Sequence, residues 1–232
     1  MEASHGSGRL GATGTFFPEE WMTAAEIAVA SGIPEKVISE RFGLDGKHIS
    51  GSDDHVSTMG ATAAQRALAR AGLEATDVDV VACFGSMGKD YYIWSAAPKI
   101  QHLLGAVGAW TLEMSSVSCG APVAMKVGSD NLRSDPDTTT MVIVRGSVES
   151  RFLGYRNERS RFMFDSGDGA AAAVLQSGSA GHELIASKIL TDGQFADDVA
   201  IYAGGSRNPQ AASRKTVAGG EHSFDVRDPV SM

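Results

Sequence analysis

Residues 111–128 read Thr111-Leu-Glu-Met-Ser-Ser-Val-Ser-Cys119-Gly-Ala-Pro-Val-Ala-Met-Lys-Val-Gly128. Small residues lead to one cysteine, and a run of small and apolar residues compatible with a helix follows it. Pro122 stands where the first turn of a helix tolerates proline, because the missing N–H would have no partner there anyway. The pattern therefore predicts Cys119 at a helix N-terminus. Unpaired N–H groups and the helix dipole would stabilise its thiolate there and lower the thiol pKa.

A second interpretation of Cys119 is equally simple. A single cysteine among small residues is commonly a buried small hydrophobe. Position alone leaves both interpretations open, so the rest of the chain has to distinguish a nucleophile from a core residue.

Composition limits the classes of function. The chain has 232 residues, a net charge of −8 and two cysteines, Cys83 and Cys119. Two cysteines do not make a disulfide framework and are typical of a reducing cytoplasm, so we expect a cytoplasmic protein. The acidic balance argues against nucleic acid as a partner. We expect no membrane association, because no signal peptide is visible and no apolar run approaches the ~20 residues needed to span a bilayer.

Predicted strands alternate with predicted helices, which indicates an α/β sheet. Thr23 and Glu26 form the capping box of a helix, and Ser57 precedes another. The predicted strands cover residues 8–18, 78–84, 110–114, 139–144, 169–175 and 183–190, and the predicted helices cover residues 24–31, 34–41, 59–71, 95–104 and the stretch after Cys119.

A series of short motifs occurs in register along the chain. They are Glu40-Arg41-Phe42-Gly43-Leu44 with Lys47-His48-Ile49, Ala71-Gly72-Leu73 with residues 78–81, residues 95–97 with Ile100-Gln101 and Leu104-Gly105, Ser118-Cys119-Gly120, and residues 164–175 around Gly167-Asp168-Gly169. In this order they resemble ketoacyl synthase III of the thiolase superfamily, the enzymes that start fatty-acid and some polyketide chains. Each motif alone is weak, and together they are specific.

The resemblance implies an α/β, thiolase-like fold with layered αβαβα architecture, of which this chain supplies mainly the first half. Residues 1–176 would form the N-terminal half with the nucleophile. Residues 177–232 would be a connecting segment leading to a second half that is absent from this chain.

The resemblance also assigns roles to single residues. Cys119 matches the cysteine that accepts the acyl group, and Arg41 an arginine that helps to hold the coenzyme A nucleotide. Ile93 matches a large residue that crosses the dimer interface into the partner's acyl pocket. A second coenzyme-contacting arginine falls at Arg159 or Ser160, of which we favour Arg159. The turn Gly167-Asp168-Gly169 would lie near the substrate pocket. The resemblance implies neither a metal nor a bound cofactor, with a coenzyme A thioester as the substrate.

The chain departs from the family in two ways. The family's nucleophile motif is C-x-G-F, whereas this chain has Cys119-Gly120-Ala121-Pro122. The family's catalytic histidine and asparagine lie in the second half of the fold, and His182 and His222 have no matching context. We therefore expect acyl acceptance at Cys119, with the Cys119 N–H as part of an oxyanion hole, and not the full condensation with a malonyl thioester.

The partners follow from these assignments. Acyl-coenzyme A or an acyl carrier protein would donate the acyl group. Either donor is acidic and would be attracted to a basic stretch of the chain at residues 151–161. A homodimer is expected from the apolar loop 91–94, and a separate chain could carry the C-terminal half. The alternatives are acyl transfer to an alcohol or amine, a non-catalytic half-fold subunit that binds acyl thioesters, and another superfamily member such as a thiolase or a hydroxymethylglutaryl-coenzyme A synthase. The basic stretch contains Arg151, Arg156, Arg159 and Arg161.

Overall fold

A computed structural model describes residues 8–85, 88–178, 180–209, 220 and 222–226. The chain divides into two compact units. The first unit comprises Met1–Pro18, Ser50–Ser147 and Gly169–Ile189, and the second comprises Glu19–Ile49, Val148–Asp168 and Leu190–Met232. The predicted boundary after residue 176, between a first half and a connecting segment, stays a prediction.

The secondary structure alternates between strands and helices, as the sequence predicts. The strands are β1 Arg9–Phe16, β2 Trp21–Thr23, β3 Gly46–His48, β4 Val80–Gly85, β5 Trp110–Ser115, β6 Thr140–Val148, β7 Asp168–Gln176, β8 His182–Glu183, β9 Val199–Ala200 and β10 Asp225–Val226. The helices are α1 Ala24–Ser31, α2 Glu35–Arg41, α3 Val56–Ala71, α4 Ala96–Leu104 and α5 Gly120–Ser134.

The first unit is built on a mixed six-stranded sheet with the order β5-β4-β6-β7-β1-β8. β4 runs parallel to both β5 and β6, so their carboxyl ends share one edge. β1 pairs antiparallel with β7 and β8. The sheet confirms the predicted α/β class, and the parallel part carries the segment that leads to Cys119.

Helix α3 packs closely on β1, and its buried face is rich in alanine. Ala63, Ala64 and Ala67 are fully buried. A Cβ built on Gly14 of β1 would lie 2.2 Å from the Ala63 carbonyl oxygen. Small side chains on both elements therefore allow the two backbones to approach each other.

The helix boundaries follow capping chemistry, with one correction. The predicted capping box is confirmed: the Thr23 hydroxyl accepts a hydrogen bond from the Glu26 N–H at 3.2 Å, and a Glu26 carboxylate oxygen accepts one from the Thr23 N–H at 2.7 Å. The prediction that α3 begins after Ser57 is wrong, because His55 caps the helix. Ser57 lies in its first turn and donates to the Asp90 carboxylate at 2.5 Å.

The strand predicted over residues 183–190 is also wrong. Only His182–Glu183 forms a strand, paired with Leu10 and Arg9 of β1. Ile185 and Leu190 are 92% and 82% exposed. No helix within the described ranges is both long enough and apolar enough to cross a membrane.

Candidate functional site

Cys119 lies in a tight connection between the sheet and a helix. β5 ends at Ser115, residues Val117–Cys119 form one 3₁₀ turn, and α5 begins at Gly120 with Cys119 as its N-cap. We call residues 115–120 the elbow. Cys119 is exposed, so the interpretation as a buried small hydrophobe is wrong and the predicted position at a helix N-terminus is confirmed.

The elbow contains a backbone outlier. Val117 has a φ of 43°, the one positive φ of a non-glycine residue in the described part of the chain. The left-handed region is unfavourable for a β-branched residue, and such strain costs of the order of 1–3 kcal/mol. Strain of this kind persists only where the surrounding structure enforces it, which is common at functional sites.

Gly120 brings the start of α5 into close contact with β4. A Cβ built at this position would lie 2.8 Å from Cδ2 of Phe84 and 3.6 Å from the Gly85 Cα. The start of α5 therefore rests directly on the carboxyl end of β4. A side chain at residue 120 would clash with the Phe84 ring unless the ring or the helix start moved.

The prediction for the oxyanion hole needs correction. The Cys119 N–H donates to the Ser116 carbonyl oxygen at 3.0 Å, and the Gly120 N–H donates to the Val117 carbonyl oxygen. Closure of the 3₁₀ turn uses these two donors. The Cys119 N–H is therefore not free to hold a developing oxyanion in this conformation.

A cavity of about 400 Å³ opens at the carboxyl ends of β4 and β5. One wall carries an ion pair, since Lys89 Nζ lies 2.6 Å from a Glu113 carboxylate oxygen. Glu113 also accepts the Ala96 N–H at 3.1 Å and the Ser95 hydroxyl, which fixes the start of α4. Sequence reasoning missed this pair, although an acid between Leu112 and Met114 in a predicted strand was a signal. The cavity is lined by Gly85, Lys89, Trp94, Ser95, Glu113, Met114 and Ser115.

The second cysteine has a different environment. Cys83 in β4 is 4% exposed. Burial, with a further contribution from the Glu113 carboxylate, raises the pKa of its thiol to about 12. A thiol with a raised pKa is a poor nucleophile at neutral pH, so Cys83 is not suited to nucleophilic attack.

Ile93 is the predicted interface residue, and its side chain is fully exposed. Its neighbours Tyr91 and Tyr92 are 70% and 82% exposed. Large apolar side chains that are exposed side by side mark interaction surfaces. The structure is therefore compatible with the assigned role, which stays a prediction.

The two predicted coenzyme-contacting arginines lie in the second unit. Arg41 is exposed at the last position of α2. Arg159 is engaged by Asp225: Nε lies 3.0 Å from one carboxylate oxygen and a terminal nitrogen contacts the other. Asn157 donates to the same carboxylate at 2.8 Å. A ligand phosphate at Arg159 would have to share the guanidinium with Asp225.

The turn Gly167-Asp168-Gly169 has a structural explanation. Asp168 is buried and accepts the Ser150 N–H at 2.9 Å and the Ser150 hydroxyl at 2.6 Å. A Cβ on Gly167 would lie 3.0 Å from the His48 carbonyl oxygen, and one on Gly169 would lie 2.9 Å from that of Phe16. These contacts show why the turn has this sequence, and its role in substrate binding stays a prediction.

Lys47 holds the segment before this turn and was missed by the sequence reasoning. Its ammonium donates to the carbonyl oxygens of Phe164 and Ser166, both at 2.8 Å, and lies 5.1 Å from the centroid of the Tyr155 ring. Desolvation lowers the pKa of Lys47 to about 8, against the opposing effect of the Asp168 and Asp165 carboxylates. A buried cation contacting distant carbonyl groups leaves no trace in local sequence.

The lowered pKa of Lys47 predicts a pH-dependent stability. Between pH 8 and 10.5 the unfolded chain binds a proton that folded Lys47 has released, so the free energy of unfolding rises with pH over this window. The contribution of Lys47 to the free energy of unfolding is therefore complete above pH 10.5 and is lost as the pH falls through 8. We expect this gain with pH to be absent in Lys47→Met, as measured by urea denaturation across the window.

The control is Lys36→Met. The Lys36 side chain is 79% exposed in the same unit. Its denaturation curves should keep the pH dependence of the parent chain. A Lys47→Met variant that runs parallel to the parent at every pH would contradict the assignment.

Within the described residues, no group of three or more His, Cys, Asp or Glu side chains is placed to hold a metal ion.

Comparison with known proteins gives consistent matches. The family model of 3-oxoacyl-[acyl-carrier-protein] synthase III matches residues 112–193, which include the elbow. The chain is 28% identical over 212 residues to beta-ketoacyl-[acyl-carrier-protein] synthase III of Chlamydia pneumoniae, covering 91% of this chain and 62% of the relative. The enzyme of the same name from Acidiphilium cryptum is 30% identical over 190 residues, covering 81% of this chain and 58% of the relative.

Solved structures show the same fold. The 3-oxoacyl-(acyl carrier protein) synthase III of Pseudomonas aeruginosa superposes with a TM-score of 0.76 at 24% identity, covering 95% of this chain and 64% of that chain. A priming beta-ketosynthase of a polyketide biosynthetic pathway gives a TM-score of 0.76 at 19% identity, covering 98% and 65%. The chain thus spans less than two thirds of the length of these proteins.

The motif order, the mixed sheet with its elbow and the matched relatives agree with one another. The resemblance predicted from the sequence is confirmed: the chain is similar to 3-oxoacyl-[acyl-carrier-protein] synthase III enzymes and shares their thiolase-like fold.

Proposed function

We propose that the chain takes part in ketoacyl synthase III-like acyl transfer, with Cys119 accepting an acyl group from acyl-coenzyme A or an acyl carrier protein. The observation that carries the proposal is the exposed cysteine at the N-terminus of the 15-residue helix α5, held by a strained turn. An exposed cysteine side chain is accessible to a thioester donor.

The proposed reaction is a thioester exchange. The Cys119 thiolate attacks the carbonyl carbon, a new carbon–sulfur bond forms, and the bond to the donor's sulfur breaks. The leaving thiolate takes up a proton and departs as the free thiol. The acyl group would then be condensed with a malonyl thioester in fatty-acid or polyketide biosynthesis. The enzyme would be cytoplasmic and would need no bound cofactor. That condensation needs a histidine and a neutral donor, which the resemblance assigns to the second half of the fold.

The charge of the second unit supports an acidic donor. Arg41 and Arg156 are exposed, whereas Arg159 and Arg161 pair with Asp225 and Glu158. Exposed arginines bind phosphate groups through several donors at once. We propose that Arg41 contacts the phosphates of the donor.

We also propose a homodimer formed through the loop that contains Tyr91, Tyr92 and Ile93. Its exposed apolar side chains support this assembly. Sedimentation of the purified protein tests it, and a monomer at all concentrations would contradict it.

The acyl acceptance is tested with acetyl-coenzyme A as the probe. We expect one acetyl group on Cys119, found by intact mass and peptide mapping and removed by neutral hydroxylamine, which cleaves thioesters. Cys119→Ala should lose this hydroxylamine-labile adduct.

Cys83→Ala is the matched control and should keep the adduct, because the Cys83 thiol is buried with a raised pKa. A parent chain that carries no acyl group on any side chain after incubation with acetyl-coenzyme A would overturn the proposal.

A further inference from the structure

We propose that Ser118 is a second acyl-accepting residue of the elbow, which takes an acyl group from a thioester and holds it as an oxyester. This inference rests on the proposed function, because it concerns the same reaction at the same elbow. The additional acyl-bearing atom would be the Ser118 Oγ.

The first argument is the position of the glycine. In the motif C-x-G the glycine follows the nucleophile by two residues. Gly120 disfavours a side chain, since a Cβ would lie 2.8 Å from Phe84 Cδ2. Two residues before Gly120 stands Ser118, and Cys119 occupies the variable position between them. Aligned on Gly120, the C-x-G pattern places Ser118 at the nucleophile position, whereas aligned on the cysteine it places Cys119 there.

The second argument is the backbone at the turn. The strained Val117, with its φ of 43°, directly precedes Ser118. Both residues and Cys119 belong to the same 3₁₀ turn, and all three are exposed. A sharp, strained turn between a strand and a helix exposes the side chains that it carries, as in the nucleophile elbows of serine hydrolases.

The third argument is that the Ser118 hydroxyl has no structural use. Serine side chains at helix starts commonly cap the helix by accepting a backbone N–H. In the described part of the chain the Ser118 hydroxyl has no hydrogen-bond partner, and α5 has no side-chain cap. The hydroxyl is therefore available to a bound substrate.

The chemistry of the step balances. The Ser118 Oγ attacks the carbonyl carbon of the thioester, the new carbon–oxygen bond forms and the carbon–sulfur bond breaks. The hydroxyl proton ends on the departing sulfur, so the products are an acyl-serine and a free thiol. A hydroxyl is a weaker nucleophile than a thiolate, so Ser118 should be acylated more slowly than Cys119. Its oxyester should also last longer in the presence of thiols.

The experiment separates the two acceptors by the stability of their esters. The parent chain, Ser118→Ala, Cys119→Ala and the double variant are incubated with acetyl-coenzyme A. Each sample is divided and treated with or without neutral hydroxylamine, and then mapped by peptide mass spectrometry. We expect a hydroxylamine-resistant acetyl group on Ser118 in the parent and in Cys119→Ala. Ser118→Ala should lose it and keep the labile adduct on Cys119.

Ser134→Ala is the matched control, since Ser134 is an exposed serine at the other end of the same helix. It should keep both adducts. The parent chain tests the inference without any substitution, because its resistant label can be mapped directly. Acylation of Cys119 alone, with Cys119→Ala unlabelled, would overturn the inference and leave the proposed function intact. A parent chain with no label at either residue would instead overturn the proposed function.

Discussion

Replacing Gly14 with alanine is expected to lower the free energy of unfolding by at least about 3 kcal/mol, the upper end of the usual cost of overpacking. The added Cβ would lie 2.2 Å from the Ala63 carbonyl oxygen and 2.5 Å from the Ala67 amide nitrogen. Both atoms belong to the backbone of α3, so no side chain can move aside to make room. Urea denaturation followed by circular dichroism measures the loss.

The Gly14 substitution should also weaken hydrogen bonds between α3 and β1. Arg66 and Arg70 of α3 donate to the carbonyl oxygens of Thr15 and Thr13 at 2.7 and 2.8 Å. A helix displaced from β1 would lengthen these hydrogen bonds as well. A total stability of about 5–15 kcal/mol is usual for a folded protein, so the variant would lose a large share of it.

Gly11→Ala is the matched control on the same strand. A Cβ at Gly11 would lie 3.2 Å from the end of the flexible Gln176 side chain, and 3.8 Å from the nearest backbone atom. The expected change is within about 1 kcal/mol, the scale of strand propensities. Equal losses in the two variants would show that the approach of α3 to β1 is not the cause.

Replacing Phe164 with alanine is expected to cost about 3–5 kcal/mol, as is usual for a fully buried aromatic residue. Phe164 is 0% exposed, and its ring centroid lies 5.1 Å from that of Tyr155. Its carbonyl oxygen also accepts the Lys47 ammonium, so a collapse of the vacated space would disturb a buried cation. The midpoint of urea denaturation reports the cost.

Phe162→Ala provides the comparison two residues earlier. Phe162 is 64% exposed, so its truncation should change the free energy of unfolding by about 0.5 kcal/mol or less. A Phe164→Ala variant as stable as Phe162→Ala would contradict the assignment of Phe164 to the core of the second unit.

Local chemistry explains which elements were predictable. The capping box of Thr23 and Glu26 needs only residues three apart, and it is confirmed. Pro122 stands in the first turn of α5, and the helix after Cys119 is confirmed. Such signals are complete within a few residues, so they do not depend on what packs against them.

The errors have a different cause. Residues 183–190 have a pattern typical of a strand, yet the partner strand β1 reaches only His182 and Glu183. His55 caps α3 although Ser57 is the more usual capping residue, because Asp90 binds the Ser57 hydroxyl. In both places a distant segment decided the outcome.

The candidate site shows the same division between features set by local sequence and features set by distant contacts. The position of Cys119 at a helix start follows from the sequence around it. The strain at Val117 and the contact of Gly120 with Phe84 do not, because they depend on β4 ending beside α5. The hydrogen bond from the Cys119 N–H to the Ser116 carbonyl oxygen was likewise not predictable, because it forms only in the closed 3₁₀ turn.

The unequal burial of the two cysteines makes the natural chain a ready reporter. Cys83 is 4% exposed, whereas Cys119 is exposed. A thiol-reactive fluorophore applied to the native protein would attach at Cys119, next to the elbow, without any engineered residue. Attachment at Cys83 would then require β4 to be uncovered, so the second, slower labelling step would time the opening of the protein interior.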